Sequence, residues 1–553
     1  MTPKFPTLAR RHLNRLQGNV RALSTDLKRL SLTRTLALGT STRDFLRGPL
    51  TVPRAEEAIK HALEHREENF LEIVRTRIYE SPDSPYVRLL KIAGCEFPDL
   101  RALVRRSGVD RALERLAKDG VYLTSDEFKG NTHIVRRGQS FRVVPDDFLR
   151  QNAPAGFTGI SSGTKNRPVR TFITFDWLAM RAQAMAVFLS AHDLYSYAHA
   201  VYDGTLPASA GMNNLLLYAK AGLATDRWFA RKIPGSTWLE GPYYLLATHV
   251  IVLAGKRFGP GFPRPEFIDI QDVHRIVRWV EEQGRKGHRC CITAAASNAI
   301  RVARVAWETS ASLSGTKFIM SGEPFTESKR QLLERVGGSG TGRYAYGGGV
   351  NIGFGCARGV HTDDVHVNEH LLALLAHPEP LPGTGPQIHP LMCTTLNPLS
   401  PRMLLNVQNG DYAALERREC GCALGTVGLT LHVSRIRSFE KFTSEGTNYF
   451  YGDLFPLFEE ILPAEFGGSP GDYQLVEEED SAGQTRLTVV VHPQVGALNE
   501  ERLLSRLREA LADGSKGNRI MAGIWRGAGT LRVRRDLPHA SPRGKILPLH
   551  IPR

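Results

Sequence analysis

Residues Ser161-Ser162-Gly163-Thr164-Lys165-Asn166-Arg167-Pro168 form a hydroxyl-, glycine- and cation-rich run bounded by expected strands. Such a loop offers hydroxyls and exposed backbone N–H groups, which phosphate oxygens accept from. Gly163 lets the backbone approach an anion without a Cβ in the way. Lys165 and Arg167 add positive charge. Alone, the run is also what an ordinary turn looks like. A second set stands apart from it. Cys356 and His361 are followed, after a long insert, by Cys420-Gly421-Cys422. Three thiolates and one imidazole fill the tetrahedral shell of a structural Zn²⁺ and leave no open position for catalysis. His366 and His370 are nearby substitutes for His361. Buried free cysteines and a surface histidine would give the same pattern without metal.

Five further runs follow the phosphate-type loop. They are Ser321-Gly322-Glu323-Pro324, Tyr346-Gly347, Asn409-Gly410-Asp411, Arg435-Ile436-Arg437 and Pro542-Arg543-Gly544-Lys545-Ile546. In that order and at those intervals, the set resembles the adenylate-forming (acyl-CoA synthetase) superfamily, in particular its phenylacetate–CoA ligase branch. The likeness covers roughly residues 60 to 553. It implies an acid–thiol ligase that joins a small carboxylic acid to AMP from ATP, releases pyrophosphate, and passes the acyl group to CoA or to the pantetheine of an acyl carrier protein. Carried over residue by residue, Ser161, Ser162, Gly163, Thr164 and Lys165 would hold the ATP phosphates. Gly322, Glu323 and Pro324 would line the adenine edge, and the Tyr346 ring, beside Gly347, would pack on the adenine. Asp411 would accept both ribose hydroxyls, and Arg437 would reach the ribose or phosphates. Glu440 and Lys441 fall at the hinge of a rotating small domain. Lys545 would bridge the attacking carboxylate and the α-phosphate, favouring the transition state over the ground state. Some members of the branch carry a Cys, His, Cys, Cys zinc site in the places of Cys356, His361, Cys420 and Cys422.

Two departures affect the expected chemistry. The family's phosphate loop has Thr and Gly where this chain has Lys165 and Asn166. The family also carries a hydroxyl and a Mg²⁺-holding glutamate where this chain has Gly349 and Val350, and neither can perform those roles. Asn351 is adjacent but neutral. Three functions stay open: a ligase using a thiol, an adenylating ligase using an amine or protein acceptor, and a degenerate protein that binds nucleotide or acyl ligand without turnover.

The chain has 553 residues and a formal charge of +15. Residues 1–50 hold ten Lys and Arg against Asp26 and Asp44, so more than half the excess lies there. The remainder is mildly basic, and no nucleic-acid-binding module is present. No apolar run approaches the ~20 residues that span a bilayer. Seven cysteines, odd in number and without a signal peptide, point to a reducing, cytoplasmic setting. A homodimer is an admissible assembly.

These residues need a scaffold, and the length predicts more than one domain. The expected division is a basic helical extension over 1–55, a large layered α/β domain over 56–436, and a small mobile α+β lid over 437–553. In the extension, leucines and Val20 at helical spacing fit a targeting or surface helix, an added helix packed on the body, or a loose tail. Ala55–Ile78 and Asp99–Gly120 read as helical, the latter broken at Ser107-Gly108. Phe172–Phe175, Val250–Leu253, Cys291–Thr293 and Lys317–Met320 read as strands. Ala179–Ala191, Val273–Gln283, Ala299–Glu308 and Lys329–Val336 read as helices. This alternation is that of a layered α/β fold. Pro378–Pro401 reads as a long loop. A helix near Asp453–Leu462, a strand at Leu487–His492, a helix at Glu500–Ala512 and a strand at Thr530–Val533 complete the expectation.

Overall fold

The computed structural model describes residues 32–550 except 151–153, 155, 161–169, 207, 232–241, 270–271, 347–349, 378, 381–386, 439–440, 445–446, 451–456, 469–470, 482, 513–522, 524 and 540–548. The fold is α/β. Twelve strands make the main sheet. They are β1 (Ala198–Tyr202), β2 (Arg227–Arg231), β3 (Pro265–Ile268), β4 (Cys290–Ala295), β5 (Lys317–Ser321), β6 (Ser339–Tyr346), β7 (Val350–Gly355), β8 (Val365–Val367), β9 (Leu372–Ala376), β10 (Pro390–Thr395), β11 (Val407–Arg417) and β12 (Leu431–Ser438). Their order is β9-β10-β11-β12-β8-β7-β6-β5-β4-β1-β2-β3. From β3 to β6 neighbours run parallel, and from β6 to β9 they run antiparallel.

Sequence explains this split. Every residue of β4 is buried, as a parallel strand covered on both faces requires. One face is covered by α1 (Leu32–Leu46), α2 (Val52–Glu64), α3 (Phe175–Ala191), α4 (Ala210–Lys220) and α5 (Pro242–Phe258), which share one core cluster with Phe354 of β7. The other face is covered by α6 (His274–Arg285), α7 (Ala296–Glu308) and α8 (Glu327–Arg335). Residues 66–118 are mainly helical and share a core with the antiparallel half. Gly108, at φ +80°, breaks the Phe97–Lys118 helix at the expected turn.

Two elements differ from the expectation. Val250–Leu253 lies within α5, not in a strand. Ile251 is 0% exposed and Leu253 is 69% exposed. A strand would place those two residues on one face, whereas a helix turns them apart. The expected Pro378–Pro401 loop contains β10, whose residues are all buried between β9 and β11. Pro390 stands first in that strand, where proline is tolerated.

In the basic extension, α1 places Leu38, Phe45 and Leu46 in the core, and the Lys220 ammonium donates to the Phe45 carbonyl at 2.8 Å. The earlier basic residues lie outside the described ones. Among the described residues, no helix is long and apolar enough to cross a membrane.

Towards the C-terminus a separate four-stranded sheet forms from β13 (Tyr473–Glu479), β14 (Thr485–Val491), β15 (Leu531–Arg535) and β16 (Leu549–His550), in the order β15-β14-β13-β16. Helix α9 (Glu500–Ala512) contributes Leu503, Leu507 and Leu511 to its core, with Trp525. These leucines recur every four residues, so one apolar stripe faces the sheet.

This unit is fastened to the large one at Glu479. Its carboxylate lies 2.8 Å from Lys329 Nζ, and Thr326 Oγ1 donates to both of its oxygens at 2.8 and 2.7 Å. Lys329 is 1% exposed and also donates to the Pro324 carbonyl. Removing one partner of a buried pair costs about 3–5 kcal/mol, while an apolar replacement of both is often neutral. Glu479→Ala should therefore lower unfolding stability on that scale, and Lys329→Met with Glu479→Leu should recover most of the loss. A single variant as stable as the parent in urea unfolding would contradict this pairing.

Candidate functional site

The first candidate residues stand at the carboxyl ends of the parallel strands, the end at which open α/β sheets bind ligands. Strand β5 leads into Ser321-Gly322-Glu323-Pro324. Gly322 has φ +84°, in the left-handed region that a side chain disfavours. The Ser297 hydroxyl, at the start of α7, donates to the Glu323 carboxylate. The Pro324 carbonyl accepts from Lys329.

Next in the sheet, β6 ends at Tyr346, whose ring packs against the antiparallel core and whose hydroxyl donates to the Gln408 carbonyl at 3.5 Å. Tyr346 pairs with Val350 at the start of β7. Val350 is buried among apolar side chains, and both side-chain amide atoms of Asn351 are buried without a partner.

Asp411 sits on β11, buried and oriented from two sides. Tyr344 Oη donates to Asp411 Oδ2 at 2.8 Å, and Asn409 Nδ2 donates to Tyr344 Oη at 2.7 Å. The Asp411 N–H donates to Asn409 Oδ1 at 3.0 Å. Burial, then the Asp411 charge, holds the Tyr344 hydroxyl well above its ordinary range, so it stays a donor. On the paired strand, Arg437 lies opposite Tyr412, one step from Asp411. Asp363 fixes the approach to Arg437. Its carboxylate accepts from the N–H groups of Arg435 and Ile436, each at 2.9 Å, and from Arg437 Nη1 at 3.3 Å. Arg435 has φ +54°, a conformation uncommon outside glycine. The two Asp363 contacts account for its retention.

Behind this lies a thiol–imidazole centre. The donor atoms of Cys356, His366, Cys420 and His432 all lie within 4.8 Å of one another. Cys422 Sγ is 3.1 Å from His366 Nε2, and Cys420 Sγ is 3.5 Å from the same nitrogen. The contact with Cys356, then the His366 imidazole, favours the thiolate at Cys422, while Cys356 keeps its proton.

His361 does not join this centre. It is exposed on the loop before β8. His366 takes its place because β8 and β12 pair His366 directly with His432, which puts both rings on one face, 4.1 Å apart. The expected His361 thus stands apart, and the histidine in the cluster is His366. His432 was not anticipated, since nothing in the sequence gives the register that sets it there. The remaining partners suit metal ligation. His366 Nδ1 meets the Leu429 carbonyl at 2.7 Å, which requires a proton on Nδ1 and leaves Nε2 facing the thiols. His432 Nδ1 meets Asp364 at 2.7 Å, and its Nε2 is buried with no partner. Carboxylate and carbonyl partners of this kind orient metal-binding imidazoles.

Several expected residues lie outside the described ones: Ser161, Ser162, Gly163, Thr164, Lys165, Gly347, Gly349, Glu440 and Lys545. Lys441 is described only as the first residue of the strand Lys441–Ser444. The phosphate-type loop is flanked by an antiparallel pair, Gly156–Ile160 with Arg170–Thr174. On that pair, a Cβ at Gly159 would fall 2.5 Å from Ser209, beside the start of α4.

No protein-family profile matches the chain, and no curated protein matches it by sequence. Among solved structures it is similar to a 2-hydroxyisobutyryl-CoA ligase in complex with 2-HIB-AMP and CoA, at 16% identity and a TM-score of 0.49, over 90% of this chain and 89% of that one. It is also similar to a malonyl-CoA ligase with methylmalonyl-CoA and AMP bound, at 12% identity and a TM-score of 0.38, over 69% and 71% of the two chains. The amide bond synthetase McbA from Marinactinospora thermotolerans is similar at 12% identity and a TM-score of 0.37, over 88% and 93%. Likenesses of this size carry no information on reaction or ligand.

Proposed function

We propose that the chain is an adenylate-forming ligase that activates a carboxylic acid with ATP and transfers the acyl group to a thiol of CoA or of a carrier's pantetheine, in the manner of phenylacetate–CoA ligases. The observation that carries the reading is Asp411. Its buried carboxylate is held by Tyr344 and Asn409, one register step from Arg437. A fixed carboxylate accepts two hydroxyl protons of a ribose. Tyr346 supplies a flat apolar ring at the end of the neighbouring strand. The Ser161–Lys165 loop would hold the phosphates, and Lys545 would deliver its cation to the reacting carboxylate and α-phosphate.

Mg²⁺ does not fit where the family holds it. Val350 is buried in the apolar core, so no step is assigned to a protein-held Mg²⁺. Zn²⁺ does fit the thiol–imidazole centre. Cys356, Cys420, Cys422 and His366 would hold it, with His432 Nε2 adjacent. A closed set of this kind supplies a structural cross-link, not catalysis. It would brace β12, which carries Arg437, and β8, which Asp363 precedes by two residues.

The altered Val350 position favours one other reading, a relative that binds nucleotide without turnover. Transfer to an amine or protein in place of a thiol is the remaining variant. Asp411→Ala tests the shared premise. Hydrogen bonds to a charged group are worth about 1.5–3 kcal/mol, or about 10–150-fold in affinity. ATP binding by calorimetry should weaken by that factor, with far-UV circular dichroism unchanged. Unaltered affinity would place the ribose elsewhere.

A further inference from the structure

Helix α5 is apolar both on the side that faces the core and on the side that faces away from it. Ala247, Ile251 and Ala254 are buried. On the outward side Leu245 is 43% exposed, Leu246 37% and Leu253 69%. His249, Lys256 and Arg257 are exposed with them, and Val250 is half-buried. At about 100° per residue these seven side chains fall within roughly 140° of the helix circumference, so they form one stripe. A surface helix ordinarily turns polar residues outward, and one that is apolar all round is ordinarily buried. Helix α5 combines the composition of the second with the exposure of the first.

Whatever covers the stripe has to satisfy cations as well as leucines. The charged side chains of α5 are Lys256 and Arg257, with no acid among them. Arg47, just after α1, adds a third cation at the same end. Its guanidinium lies 6.0 Å from the Phe258 ring centroid, and that of Arg257 lies 5.3 Å from it. Helix α1 runs beside α5 in the same direction. A Cβ on Gly39 would lie 3.5 Å from Val250 Cγ1, and one on Gly259 would lie 3.4 Å from Leu46 Cδ2. The single acid of α1, Asp44, is paired with Arg43 at 2.9 Å. Leu32, where residues 1–31 join, therefore stands towards the first turn of α5. That segment holds seven Lys and Arg against Asp26. Its Leu13, Leu16, Val20, Leu23, Leu27 and Leu30 recur alternately at three and four positions, the period of an amphipathic helix. Leucines seek hydrocarbon and the cations seek anions. An anionic lipid surface offers both, the hydrocarbon lying beneath the charge. A nucleic acid offers only the charge.

We propose that the outward face of α5 docks on an anionic membrane surface. Leu245, Leu246 and Leu253 enter the acyl boundary, Lys256, Arg257 and Arg47 meet the headgroups, and residues 1–31 make the second attachment. An apolar insertion and a polybasic segment together hold a peripheral protein where either signal alone is marginal.

Cosedimentation of the full chain with vesicles tests this. Vesicles of phosphatidylcholine with phosphatidylglycerol should carry the protein down, vesicles of phosphatidylcholine alone should not, and added salt should release it. Burying a leucine is worth about 10–150-fold in affinity, so Leu253→Glu should weaken binding about 10-fold or more. Each cation at an anionic surface is worth about fivefold, so Lys256→Glu with Arg257→Glu should weaken it about 25-fold or more. Thermal midpoints should stay at the parent value, since these side chains are exposed. Leu253→Ala is the milder variant should Leu253→Glu disturb folding. No binding to the mixed vesicles, equal binding to both kinds, or binding unchanged in the α5 variants would overturn the proposal. Two further outcomes would assign the face to another occupant and overturn it equally. One is a parent dimer in light scattering that Leu253→Glu dissociates, which gives the face to a second copy. The other is faster tryptic cleavage after Arg21 and Lys28 in Leu253→Glu without vesicles, which gives it to residues 1–31.

Discussion

Protein carrying both Cys420→Ser and Cys422→Ser should lose its zinc and the cooperative unfolding of its large domain together. The parent should carry about one zinc per chain, since four ligands fill a tetrahedral shell. Structural Zn²⁺ contributes about 10–16 kcal/mol in small domains, as much as the whole stability of about 5–15 kcal/mol of an ordinary fold. The centre joins the loop of Cys356, the strands of His366 and His432, and the Cys420–Cys422 turn. Losing it frees four chain segments at once. His366→Ala should show the same loss of metal, and His361→Ala should not. Elemental analysis and a thermal scan check both. Full zinc in the double cysteine variant, or loss on His361→Ala alone, would contradict this ligand set.

Lys545→Ala should abolish the first half-reaction and spare the second. A preorganised group acting on developing charge is worth about 2.7–4 kcal/mol, so acyl-AMP formation should fall by about 10²–10³. Thioester formation from supplied acyl-AMP should continue, because in the proposed two-pose mechanism the second pose would carry this lysine away. Glu440→Pro should do the reverse: proline fixes φ and removes a donor, and rotation suffers. Equal damage to both half-reactions by Lys545→Ala would exclude a two-pose mechanism. The Glu479 contact to Lys329 bears on the same motion, because Lys329 also holds the Pro324 carbonyl beside the proposed adenine edge.

The layered α/β class was legible because β4 and β5 are short apolar runs between helices of distinct period. The helix over residues 242–258 was not, because Val250–Leu253 is apolar at every position and only burial distinguishes its faces. Motif order brought out Asp411, Tyr346 and Arg437, since each belongs to a local run. The residues that orient them were invisible for the opposite reason. Tyr344 reaches Asp411 across 67 positions and Asp363 reaches Arg437 across 74, and no local spacing encodes either. His432 was missed in the same way, as its pairing with His366 is a matter of strand register.

The central claim is that this chain adenylates a carboxylic acid. Exchange of labelled pyrophosphate into ATP by the purified full chain tests it most directly, with a panel of aromatic and aliphatic carboxylic acids. The account predicts exchange that requires added acid and disappears in Lys545→Ala. ATP binding that Asp411→Ala weakens, with no exchange for any acid, would contradict it and leave a nucleotide-binding protein without turnover.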